Sequence, residues 1–408
     1  MQSNLFKALG PGLIFAGAAV GVSHLVQATR AGASFGFGLV GLIVLANVVK
    51  YPTFRFGPYY AAATGTSLLE GYRRQGPWAL GLFSVLTIAT MFTVQAAVAV
   101  VTAALAIATY KVFAGPASAD PSLWAVTAAL LLLCAALLSI GRYRWLDRIT
   151  KALIGVLTIS TMLATALALS KADWGSMSFW PSPGVWANKD AVFFMAALVG
   201  WMPSAFDTAV WVSLYTLARR DDTGYLPTLR ESMIDFNIGY IGTALLALCF
   251  VTLGAALMHG KGETFANSAP AFAGQIIGLY TRSLGPWAGS VVSIAAMSTM
   301  FSTTLTVVDG FPRVINRLLL CYRQPETPDM PALSHGRSYW FALTIVGIGS
   351  LIIVALIPAN GFRILIDLAT TLSFLASPAL ALLNHRAVTS DAIAAQHRPG
   401  RGILTLSW

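Results

Sequence analysis

Long apolar stretches alternate with short polar ones along the whole chain. The pattern predicts ten membrane spans, near 11–30, 36–62, 80–110, 122–140, 149–170, 191–217, 234–258, 285–309, 339–358 and 363–384. A helix rising 1.5 Å per residue needs about 20 apolar residues to cross a hydrocarbon core roughly 30 Å thick. The polar intervals are too short for a separate soluble domain. The longest, 171–190, 259–284 and 310–338, read as irregular connections. The middle one carries "APAFAGQIIGLYTRSLG", which predicts a short helix at the surface. After Leu383 the tail "NHRAVTSDAIAAQHRPGRGILTLSW" is too polar to span. The expected architecture is an all-α polytopic membrane protein, one transmembrane domain over 1–408 with a cytoplasmic tail from 386.

Charge orients these spans. With the N-terminus placed in the cytoplasm, seventeen of the 26 Lys and Arg fall on that side and seven on the other, while Lys50 and Arg55 lie inside span 2. That bias predicts cytoplasmic termini, an even number of spans and a place in the plasma (inner) membrane. Lys7 ahead of the first apolar run also fits a signal peptide, but nine further spans favour a retained first span. Composition agrees. Residues are 56% hydrophobic and 10% charged, against about 25% charged in soluble domains. The net charge of +10 does not point to nucleic acid, because the basic residues sit in loops between spans. Cys134, Cys249 and Cys321 have no CxxC spacing and read as apolar filler. The chain has no H-x-x-x-H metal-hydrolase pair, nucleophile elbow or glycine-rich phosphate loop, so an enzyme is not expected. The expected partners are the bilayer and a small-molecule or ion substrate, with no resident cofactor. Oligomeric state is not readable.

Two spans carry interruptions. Span 1 holds "AAVGVSH" at 18–24, and span 6 holds "ALVGWMPS" at 197–204. Each places glycine and polar or helix-breaking residues at mid-span, and the two spans open the first and second sets of five. Paired interruptions of this kind predict two inverted five-span repeats, about 8–170 and 190–385, with a substrate site at the midplane. Unwound backbone is tolerated at that depth only where it lines protein or a water-filled cavity. The expected unwound stretches are 20–24 and 199–204.

At these residues the chain resembles the NRAMP divalent-metal transporters. Their first span reads G-P-G-x(8)-D-P-G-N-x(6)-A-G-A, and here "GPGLIFAGAAVGVSHLVQATRAGA" keeps Gly10-Pro11-Gly12 and Ala31-Gly32-Ala33 at the same spacing. The family's A-x-x-M-P-H of span 6 becomes Val199-Gly200-Trp201-Met202-Pro203-Ser204. "RESMIDFNIGY" in span 7 and "VVDGFPRVI" in span 8 are also similar. The resemblance covers nearly all the chain. It implies a LeuT-type bundle with spans 1 and 6 unwound, and proton-coupled transport of manganese or iron. The chain departs from the family where the chemistry sits. The metal-binding Asp aligns with Gly21, the Pro with Val22, the Asn with His24 and the span-6 His with Ser204. The acidic residues that the family keeps in span 3 have no counterpart, since 77–110 contains no Asp or Glu. Proton movement is therefore expected to be weak, absent or routed through His24, Asp207 or Asp367.

The candidate substrate-binding residues are Val20, Gly21, Ser23, His24, Val199, Met202, Ser204 and Asp207. His24, Met202 and Asp207 together would make a soft, weakly charged metal site. Imidazole and thioether suit transition metals better than magnesium or manganese. The expected cargo is a divalent transition-metal ion with altered selectivity, moved by alternating access. Two alternatives stay open. One is a small anion or organic acid held by helix N-termini with Ser23, His24, Ser204 and Thr208. The other is a non-transporting membrane sensor. Asp367 is the candidate coupling residue, whereas Asp235 and Asp309 read as partners of loop groups. Lys50 and Arg55 read as snorkelling side chains or as counter-ions for Asp207 or Asp367. Trp201 reads as a lid or wall of the site.

Overall fold

The computed structural model describes residues 9–115, 118, 121–140, 143–172, 175, 177–262, 265–323, 336–358 and 360–407, with the side chains of 143–154 left aside. Lys7 and Arg142, counted above in the charge bias, lie outside the described residues.

All ten expected spans are helical. Span 2 is Val40–Thr64, span 3 Pro77–Ala114, span 4 Leu123–Ile140, span 5 Tyr143–Leu169 and span 7 Leu229–Leu257. Span 9 is Arg337–Leu356 and span 10 Phe362–Thr389. Span 1 begins as Pro11–Ala19 and ends as Thr29–Phe35, and span 6 is split into Lys189–Trp201 and Thr208–Thr223. Seven of these are long and apolar enough to cross a bilayer on composition alone. Span 8 corrects the sequence reading. It runs unbroken over Ala288–Arg323, straight through Gly310 and Pro312, where an irregular stretch was expected from 310. Its 36 residues extend for about 54 Å, so it projects beyond the hydrocarbon core. Asp309 and Arg313, four residues apart in its second half, pair at 2.9 Å, and Tyr215 and Tyr339 donate to the same carboxylate. The expected helix after span 7 is Ala269–Leu284, and the tail holds only short helical pieces, Ala395–His397 and Arg401–Leu406.

Helix starts and crossings follow local chemistry. Thr228 and Glu231 form a reciprocal capping box at the head of span 7, and Asn188 accepts from the amides of Asp190 and Ala191 at the head of span 6. Asp235 caps span 1 from a distance, accepting from the Gly10 and Gly12 amides at 3.0 and 2.6 Å. Spans 1 and 7 cross at backbone contact. A Cβ on Gly12 would lie 2.1 Å from the Asp235 carbonyl oxygen, and one on Gly254 2.2 Å from that of Thr29. Small residues permit such approach where lipid supplies no hydrophobic drive between helices. Spans 3 and 8 form the central crossing, where Thr102 Oγ1 lies 2.7 Å from Thr304 Oγ1. The perimeter is apolar and bare, with Leu132, Ile159, Leu356, Ile364 and Leu375 all more than 60% exposed. In water that surface would aggregate; in a bilayer it faces hydrocarbon.

Candidate functional site

The two interruptions face each other. Span 1 stops at Ala19, is unwound only at Val20 and Gly21, and resumes as a wide π-helical turn over Val22–Ala28. Span 6 stops at Trp201 and restarts at Thr208, so 202–207 is its open stretch. Both breaks therefore sit slightly differently from the expected 20–24 and 199–204. Pro203 sets the second one. It has no N–H to continue the helix, and it disfavours helical backbone at Met202. In the first, Ser23 Oγ lies 2.6 Å from the Ala19 carbonyl that the interruption exposes. The same oxygen lies 3.2 Å from the Pro203 carbonyl and joins one break to the other.

Between them lies a hollow of about 30 Å³, bordered by spans 1, 3, 6 and 8. Its polar lining is Ser23, Ser204, Asp207, Thr208, Trp211 and Thr303. Asp207 is 8% exposed, and its Oδ2 has no hydrogen-bond partner among the described residues. Thr208 and Thr303 give their hydroxyl hydrogens to the carbonyls of Ala205 and Gly17, each at 2.6 Å. Their remaining lone pairs are acceptors, as is the carboxylate, so the lining is weighted towards binding positive charge. No Lys, Arg or His lines it. Trp211 Nε1 is buried without a partner among the described residues, and it and the Ser204 hydroxyl are neutral donors beside a carboxylate and several acceptors. Asp207 also borders a smaller hollow of about 10 Å³ with Thr87, Thr90 and Ser373. Trp201 walls the first hollow rather than capping it as a free lid, because its Nε1 donates to Ser373 Oγ at 2.6 Å.

The expected site residues separate. His24 is fully buried, and its ring reaches span 7, where Nε2 donates to the Thr243 carbonyl at 2.8 Å. Nδ1 stands 2.8 Å from Ser23 Oγ, so both nitrogens are engaged and the ring is outside the hollow. Met202 is buried in the apolar core and lines neither hollow. Of the three expected metal ligands, only Asp207 borders the space. Among the described residues no three His, Cys, Asp or Glu gather together. Val20 is buried beside the break without lining the hollow, and Ser23 and Ser204 do line it. Gly21 packs against span 8, and a Cβ there would meet Thr303 Cγ2 at 2.9 Å. The Val199 carbonyl points elsewhere, to Lys50 Nζ. Asp367 pairs with Arg30 at 2.6 Å and with Gln27, tying span 10 to the far end of span 1. Lys50 and Arg55 pair with neither Asp207 nor Asp367, and Lys50 is turned inward and buried rather than snorkelling. Thr303 and Trp211 were missed. Thr299, Thr303 and Thr306 recur at helical spacing in span 8 and mark a polar face that periodicity alone would have found.

Comparison with known proteins shows the family and the fold. The family model described as natural resistance-associated macrophage protein-like matches residues 12–408. The chain belongs to the NRAMP family. A protein of Pasteurella multocida, itself uncharacterised, is 33% identical over 98% of this chain and 88% of its own length. The divalent metal cation transporter MntH of Xanthomonas campestris is 23% identical over 76% of this chain and 70% of its own. In fold, a manganese transporter of Eremococcus coleocola superposes with a TM-score of 0.65 at 15% identity, over 100% of this chain and 84% of that one. MhsT, solved with L-phenylalanine, superposes at 0.62 with 14% identity, over 98% and 94%. Such low identities speak for the LeuT-type fold alone. This NRAMP chain is a secondary transporter of the membrane and not an enzyme.

Proposed function

We propose that this NRAMP-family transporter carries a small hard cation by alternating access, bound at Asp207 between the broken spans. The observation behind this reading is the buried carboxylate oxygen that lacks a partner and borders a hollow of about 30 Å³. A hollow of that size holds an ion or a few waters, and its oxygen lining favours positive charge. An unpaired carboxylate is costly to bury and is repaid by a cation. The imidazole and thioether of the expected transition-metal site are turned away, leaving oxygen donors, which favour hard cations over soft ones. The relatives named for manganese and for divalent metal cations support a cation cargo. An anion would meet Asp207 with no basic side chain to offset it.

The remaining architecture is read in the same terms. Spans 1–5, about 8–170, and spans 6–10, about 190–385, are the two inverted repeats, and the Lys and Arg bias puts both termini in the cytoplasm of the inner membrane. Span 3 offers Thr87 and Thr90, not acids, beside Asp207, so any proton exchanged with the cargo is carried at Asp207 itself. Uptake into proteoliposomes tests the proposal. Sodium, lithium, magnesium, manganese and zinc are offered in turn with chloride, acetate and lactate as anion controls. Uptake of at least one cation above empty liposomes is expected. Uptake of an anion alone would overturn the reading.

A further inference from the structure

Among the described residues four basic side chains other than histidine are buried in the bundle, and three of them meet a carboxylate. Arg30 pairs with Asp367 at 2.6 Å, Arg313 with Asp309 at 2.9 Å and Arg317 with Glu70 at 2.8 Å. Lys50, in span 2, is the exception among the described residues. Its ammonium donates to the carbonyls of Val199 and Gly200, the latter at 3.1 Å, and stands 4.8 Å from the centre of the Phe206 ring. These groups belong to the span-6 break. In a continuous helix the Val199 carbonyl would accept from residue 203, but Pro203 has no N–H to give, and the carbonyl takes only the Met202 amide, at 3.3 Å, beside Lys50. The carbonyls at the end of a half-helix carry its partial negative charge, and an aromatic face adds to it. Two such carbonyls and a ring make a negative, partly enclosed pocket that attracts positive charge.

We propose that the Val199 and Gly200 carbonyls, with the face of Phe206, form a second cation site that the chain fills with its own Lys50 ammonium. A tethered cation then stands where a free cation would otherwise bind, and the 202–207 break holds its shape without a bound co-ion. The two charges at the break are Lys50 on one side and Asp207 on the other, neither in an ion pair among the described residues. It follows that mobile cargo uses the Asp207 side and not the Val199 carbonyl. The site of Lys50 stands on its own geometry, whatever Asp207 binds.

Truncation and refilling test this. Lys50→Ala removes a three-carbon stem and its nitrogen, which is n-propylammonium. Purified Lys50→Ala is melted in N-methylglucamine chloride with added n-propylammonium, n-propanol or sodium. Lys50→Met, which keeps the stem without the charge, is melted with sodium alone. Lys50→Ala is expected to melt lower than wild type and to recover by roughly 3 °C or more, saturably, with n-propylammonium and not with n-propanol. Lys50→Met is expected to gain a saturable response to sodium beyond any that wild type shows, and to keep it when Asp207→Asn is added. Equal rescue by n-propanol would reduce Lys50 to apolar packing and overturn the proposal. So would wild-type melting of both variants with no response to either cation. If Lys50→Ala yields no folded protein, the sodium response of Lys50→Met decides alone.

Discussion

Asp207→Asn removes one charge and changes the shape of the site hardly at all. Asp207 is 8% exposed and its Oδ2 has no partner among the described residues, so the substitution breaks no ion pair. A buried polar atom left unmatched costs about 1–3 kcal/mol, and a neutral amide beside the Ser204 and Thr208 oxygens costs less than a carboxylate. The empty variant should therefore melt at the wild-type temperature or a few degrees above it. Cation binding should move the other way. At about 3 Å and an effective dielectric of 20, a unit charge gains roughly 5 kcal/mol from the carboxylate, twice that for a divalent ion. Desolvation takes back much of this, leaving about 2–3 kcal/mol net, or a roughly 30- to 150-fold weaker half-point. Melting curves of wild type and Asp207→Asn across a concentration series of each cation measure both quantities at once. If a cation stabilises Asp207→Asn with the wild-type half-point, the carboxylate is not its ligand and the site has been misplaced.

Three further outcomes follow from the same contacts. His24→Ala should lower stability by about 3 kcal/mol, through lost hydrogen bonds to Thr243 and Ser23 and a new cavity, while the cation half-point stays within about threefold; a half-point weakened as much as in Asp207→Asn would return His24 to the site. Gly21→Asp restores the family's carboxylate position but drives a side chain into Thr303 Cγ2, so it should cost about 1–3 kcal/mol, part of it recovered when Thr303→Ser removes the methyl; wild-type melting of Gly21→Asp alone would contradict that packing. Asp367→Asn leaves Arg30 buried without its carboxylate, and because Asp367 is itself about a third exposed the cost should be only about 1–2 kcal/mol. Hydrogen exchange should then quicken in 27–35 and 362–370 and hold steady in 202–208; equal quickening in all three would mean that the pair does not act locally.

The sequence by itself determined the class, the ten spans and the places where two of them break. Apolar runs, glycine spacing and Pro203 act through backbone physics that needs no tertiary partner, so they are legible in one dimension. Asp207 drew notice as the one carboxylate beside either interruption, and the structure sets it at the edge of the hollow between them. The continuation of span 8 past Gly310 and Pro312 was not, because packing against spans 3 and 6 overrides the local preference of those residues. The roles of His24, Met202 and Lys50 were decided only by the tertiary structure. A side chain in a π-helical turn or at a helix end has no direction in the sequence. His24 became a strut when the close crossing of spans 1 and 7 brought the Thr243 carbonyl within 2.8 Å of its ring. Lys50 turned inward to the Val199 and Gly200 carbonyls at the end of the first half of span 6, a partner 149 residues away that no local pattern announces.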